Sequence, residues 1–173
     1  MGGFVSAARQ YGVLIATILR HPEVATVSFD PFAREIRTEF LVRRVLDEGE
    51  EAAMRERLDD ALTAYARLER KAAAQRRLDV HVGDGLTAIT ALWRADAVDP
   101  GEIGLVVDLL RDQLGDDLMG EGEAHAGADA AEEEDPYLGE EIIAEKLADL
   151  SRLRGERRLV AVRDGGRLIV YHQ

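Results

Sequence analysis

The stretch LDVHVGDGLTAITALW, Leu78 to Trp93, decides the architecture of this chain. Two short runs of alternating apolar and polar residues flank Asp84-Gly85. Asp-Gly is a strong signal for a two-residue hairpin turn, because both central positions of that turn need a positive φ. Such a turn fixes the register. Val82 then faces Thr87 and Val80 faces Ile89, while His81 faces Ala88 and Asp79 faces Thr90. Leu78, Val80 and Val82 form the core side with Ile89, Ala91 and Trp93, at the period of two that a half-buried ribbon requires.

Upstream, the period changes. From about Glu50 to Ala73 the apolar positions are Met54, Leu58, Ala61, Leu62, Tyr65, Leu68 and Ala72, mostly at steps of three and four, which predicts a helix. Asp47, Glu48, Glu50 and Glu51 lie at its start. Arg67, Arg70, Lys71, Arg76 and Arg77 lie towards its end, a polarity that complements the helix dipole and accounts for the basic cluster without a phosphate-binding patch. Before that helix comes the first hairpin pattern in the chain, Val24 to Val42. Asp30-Pro31-Phe32 opens its turn. Ile36, Thr38, Phe40 and Val42 alternate with Glu35, Arg37 and Glu39. A first helix from about Val5 to Leu19 ends ahead of His21-Pro22. It is apolar on most sides, so it is expected to be buried centrally or shared with another subunit.

Downstream, Asp99 and Pro100 cap and open a helix with the stripe Ile103, Val106, Val107, Leu110 and Leu114, and Gly115 stops it. A further helix is expected from about Pro136 to Arg154. The last hairpin, Leu159 to Tyr171, turns at Asp164-Gly165-Gly166. Both faces of its strands are apolar, which predicts a place in the sheet interior or under a partner, not a solvated edge. The sum is an α+β fold. Its mostly antiparallel sheet of about six strands is built from three hairpins, each preceded by a helix, with the helices mainly on one face. The three units agree in order but share no residue motif, so no duplication is evident.

The chain has 173 residues, the length of one domain, and residues 1–173 read as a single α+β unit. Its formal net charge is −12, but nine of its 34 carboxylates fall between Asp116 and Asp135, where there is no Lys or Arg. Without them 25 acidic residues face 22 basic ones, so the body is nearly neutral. That argues against nucleic-acid binding, which needs a strong positive field. The segment 116–135 lacks periodicity and reads as a mobile acidic loop. There is no cysteine, which excludes disulfides and thiol chemistry. The start has no basic n-region, and the longest apolar run, Val13 to Leu19, is far too short to span a bilayer. No membrane association is expected, and a cytoplasmic location is. Gly2 and Ser6 match the loose myristoylation pattern by chance, and the Ala/Arg/Asp/Gly-rich composition suggests a bacterial source.

Residues able to carry chemistry are few. Asp79 and His81 lie two apart on one strand face and could supply two metal ligands or an oriented base, with Thr90 and Arg37 as neighbouring ligand-binding candidates. No third metal ligand appears at a suitable spacing, so no metal or cofactor is expected. His81 and His172 could meet if the second and third hairpins are neighbours. Glu132, Glu133 and Glu134 could dock a basic partner surface, but they lack the spacing of a calcium loop. Phe32, at a hairpin tip, could be a contact residue or could equally fold back over the hairpin. The glycine pairs sit within hairpins and open no helix, so they are turns and not phosphate cradles. None of the three serines lies beside a histidine, which leaves no nucleophile for serine catalysis. The expected function is a non-enzymatic interaction or regulatory module, acting as a homodimer. The alternative is a small-ligand or metal-binding protein, or a small enzyme, with its site on the open sheet face near Asp79 and His81.

Overall fold

Asp84 and Gly85 both take a positive φ, 52° and 78°, and close the hairpin at the register their sequence predicts. The structure is a computed structural model that describes residues 12, 14–71, 76–120, 157–164 and 167–173. Its strands are β1 (Val24–Asp30), β2 (Glu35–Val42), β3 (Arg76–Gly83), β4 (Leu86–Arg94), β5 (Leu159–Asp164) and β6 (Arg167–His172). Helical residues 14–20 form α1, Glu48–Leu68 form α2 and Pro100–Leu114 form α3, which a short 3-10 turn, Gly115–Asp117, extends. The six strands make one sheet in the order β3-β4-β2-β1-β5-β6. Every neighbouring pair is antiparallel. The fold is α+β. The expected helix at 136–154 lies outside the described residues.

One sheet face is the core. Ile36, Phe40 and Val42 of β2 join Val27 and Phe29 of β1, Ile89, Ala91 and Trp93 of β4, and Leu159 and Ala161 of β5 in a single buried cluster. Onto it pack Leu14 and Ile18 of α1, Met54, Leu58 and Leu62 of α2, and Ile103, Val106, Val107 and Leu110 of α3. Two buried threonines brace this layer. Thr38 accepts from the Trp93 indole Nε1 at 3.3 Å. Thr87 accepts from the Leu46 amide at 3.0 Å and donates to the Arg44 carbonyl at 2.8 Å, which fastens the β2–α2 connection to β4.

Both long helices begin with capping boxes. Asp47 and Glu50 serve α2, and Asp99 and Glu102 serve α3, each pair exchanging side-chain bonds with the other's backbone amide. The α2 stripe narrows to Met54, Leu58, Leu62 and Ala66, each four residues from the last. Leu68, expected on that stripe, is 82% exposed instead, because two residues beyond Ala66 the helix has turned about 200° away. The helix also ends at Leu68, short of the expected Ala73. Arg70 takes φ 54°, Lys71 N–H reaches back to the Ala66 carbonyl at 2.9 Å, and Arg70 N–H to that of Arg67 at 3.2 Å. These bonds form a Schellman stop with arginine at the left-handed position. Arg76 and Arg77 consequently belong to β3, so the helix dipole does not account for them.

The described part of the acidic segment, residues 116–120, is bound to β2. Leu118 bridges Val42, Met119 N–H donates to the Leu41 carbonyl at 2.8 Å, and Asp117 accepts from Arg44 Nε at 2.7 Å. Residues 121–135 lie outside the described residues. The interior place expected of the last hairpin, if it is not covered by a partner, is taken by one of its two strands. β5 is interior, but β6 pairs only with β5 among the described residues and forms an edge of the sheet.

Candidate functional site

Antiparallel pairing sets residues of one face opposite one another, so the ladders define what the face away from the core presents. One row runs Asp79, Thr90, Glu39, Thr26, Val162 and Ile169 across all six strands. The next runs Arg77, Leu92, Arg37, Ser28, Val160 and Tyr171. Asp79, His81, Thr90 and Arg37 therefore share a face with Glu35 and Glu39, as the ligand-site alternative requires. That face is divided by chemistry. Its β3–β4–β2 part is charged, and its β5–β6 part is apolar at Val160, Val162, Ile169 and Tyr171, with the Asp164–Arg167 pair at the turn end.

The charged part satisfies much of its own charge. Arg77 Nε donates to both Asp79 oxygens, at 3.1 and 3.2 Å, and Arg37 Nη2 lies 3.6 Å from Glu35 Oε2. Arg37 Nε is buried without a hydrogen-bond partner. His81 is exposed one step along β3, opposite Ala88. The cavity that opens on this part, of 240 Å³, is lined by Glu35, Arg77, Leu92 and Arg94 and includes neither Asp79 nor His81. No group of three metal-capable side chains gathers among the described residues.

His81 and His172 do not approach each other. They lie on β3 and β6, the opposite edges of the sheet. Five strand spacings of about 4.8 Å put those edges roughly 24 Å apart. His172 also pairs with Leu159, on the core side. Strand order, which no local signal carries, decides this.

At the tip of the first hairpin, Phe32 is 75% exposed and does not fold back. Asp30 builds the turn beneath it. Its Oδ1 accepts from the amides of Phe32 at 3.0 Å and Ala33 at 3.1 Å, and its Oδ2 from Arg158 Nη2 at 2.9 Å. Partial burial alone would raise the Asp30 carboxyl, but these donors hold it below the ordinary range. Glu132, Glu133 and Glu134 lie outside the described residues.

The apolar part was only half legible in the chain. Both faces of the last hairpin read as apolar, but its edge position did not. Val160 is buried, Val162 is half-buried, and Ile169 and Tyr171 are 46% and 42% exposed. They form two facing pairs, Val160 with Tyr171 and Val162 with Ile169. β6 from Leu168 to Tyr171 carries no charge on either face.

A scan of protein-family models, a search of curated proteins and a search of solved structures find nothing that matches this chain. Among the described residues, no helix is long and apolar enough to cross a membrane.

Proposed function

We propose that the protein is a non-enzymatic interaction module that pairs with a second copy of itself along β6, in the cytoplasm. The observation that carries this reading is the uncharged run Leu168 to Tyr171 on the outermost strand, with Ile169 and Tyr171 exposed and no further strand paired to it among the described residues. Sheet edges of this kind are usually blunted by charge, proline or a bulge, because they template pairing with another chain. A two-fold axis between antiparallel strands must set residues of like face opposite each other. Centred on Val170, it brings Ile169 against the partner's Tyr171, an aromatic–β-branched pair of the kind that stabilises sheets. The second contact surface in this proposal is the acidic run at Glu132, Glu133 and Glu134, facing a basic protein partner.

Sedimentation velocity over a wide concentration range tests the self-pairing. The expected result is a concentration-dependent dimer that Ile169→Lys converts to a monomer with an unchanged far-UV dichroism spectrum. A compact monomer at every concentration overturns the proposal.

A further inference from the structure

β3 pairs only with β4 among the described residues, so its other side is an edge of the sheet. A two-residue loop makes its flanking residues, Gly83 and Leu86, a hydrogen-bonded pair. Bonded and non-bonded pairs then alternate down the ladder. Arg77, Asp79 and His81 turn their N–H and C=O groups towards β4, and Arg76, Leu78, Val80 and Val82 turn theirs outwards. One of these outward groups is taken. The Arg55 side chain reaches over from α2, and its Nη1 donates to the Leu78 carbonyl. Glu51, one turn back along α2, holds that guanidinium in place, its Oε1 accepting from Nε at 2.9 Å and from Nη2 at 2.7 Å.

The strand itself is suited to meet a second copy. Leu78 and Val80 face the core but are only half-buried, and Val82 is 51% exposed, whereas Ala91, Ile89 and Thr87 opposite them are buried. A two-fold axis through Val80 sets Leu78 against the partner's Val82 and Asp79 against the partner's His81, each twice. The imidazole can donate to that carboxylate whether it is neutral or charged. Arg77 falls against the partner's Gly83, so no like charges oppose each other. This register pairs residues 77–83 and requires the Leu78 carbonyl to accept from the partner's Val82 amide. Arg55 occupies that acceptor, and the symmetry removes it at both ends of the contact.

We infer that the β3 edge is a second surface complementary to another copy of this chain, and that Arg55 keeps it closed. A charged side chain laid on a sheet edge is a common way to stop that edge templating association. Given the self-pairing proposed for β6, Arg55 is also what confines association to that edge; the closure of β3 stands without it.

Ile169→Lys, which places a charge on the β6 edge, is the background for the test. Arg55→Met and Arg55→Gln are each added to it. Both keep a helix-forming residue, and the Arg55 side chain is 39% exposed, so both variants are expected to fold. Sedimentation velocity is expected to show dimerisation about thirtyfold tighter than in the Ile169→Lys parent, the size of two regained backbone hydrogen bonds. Amide exchange is expected to slow with concentration at Leu78, Val80 and Val82, whose N–H groups face outwards, and not at Asp79 or His81, which already pair with β4. A further Val82→Lys, at an exposed position, is expected to return the monomer. Association no tighter than the parent's once Arg55 is replaced, or a dimer that survives Val82→Lys or slows exchange only outside β3, overturns the inference. Failure of the β6 proposal shows separately, as a monomer of the unaltered protein at every concentration.

Discussion

At the scale of single residues, buried polar groups set the sharpest expectations. Thr87 is fully buried and satisfies two backbone groups of the β2–α2 connection with one hydroxyl. Thr87→Val keeps the shape and strands the Leu46 amide and the Arg44 carbonyl. It should cost about 2 kcal/mol in urea unfolding, and a cost under about 0.5 kcal/mol would contradict the bracing role. Glu102 is also buried, and burial raises its carboxyl above the ordinary range. Its folded pKa exceeds its unfolded one, so its contribution is complete below the unfolded pKa and is lost as pH rises through the folded value. Glu102→Gln keeps an acceptor for the Asp99 amide and removes the buried charge. It should therefore raise the melting temperature at neutral pH, with the gain vanishing in acid. A gain that persists unchanged in acid would contradict this cause. The Asp99 carboxyl behaves oppositely. Desolvation pushes it up, but the Lys71 ammonium and the Glu102 amide outweigh that and hold it low. Its contribution is lost as pH falls.

Single elements were largely legible because their signals are local. Asp84-Gly85 dictated both the turn and the β3–β4 register, and Asp99-Pro100 with Gly115 bounded α3. The end of α2 was not legible, for a physical reason. Arg70 occupies the left-handed stop position that favours glycine, and nothing in the basic run distinguishes a helix end from a strand start. The backbone there predicts its own remedy. Arg70→Gly should relieve the positive-φ strain and stabilise the protein by up to about 1 kcal/mol. Equilibrium denaturation would register this as a higher midpoint at unchanged slope. A lower midpoint would mean that the arginine side chain does more for the helix end than the strain costs.

At the scale of the whole molecule, the sequence specified three hairpins but not their order. Which hairpin edges meet is a long-range choice with no short-range signature. That choice placed the second hairpin at one edge of the sheet and the third at the other, which separated His81 from His172 and left β6 outermost. It also aligned Asp79, Thr90 and Glu39 in one cross-strand row that ends in Val162 and Ile169. The charged half of that face was readable from Glu35, Arg37 and Glu39 alternating along one strand. The apolar half emerged only once β5 and β6 were seen at the end of the row. The central claim, that the β6 edge is where this protein meets a second copy of itself, is tested most directly by amide hydrogen exchange in the segment 167–173 as protein concentration is raised. Edge-to-edge pairing predicts that exchange there slows with concentration while the β3 edge stays unchanged. Equally fast exchange in 167–173 at every concentration would contradict it.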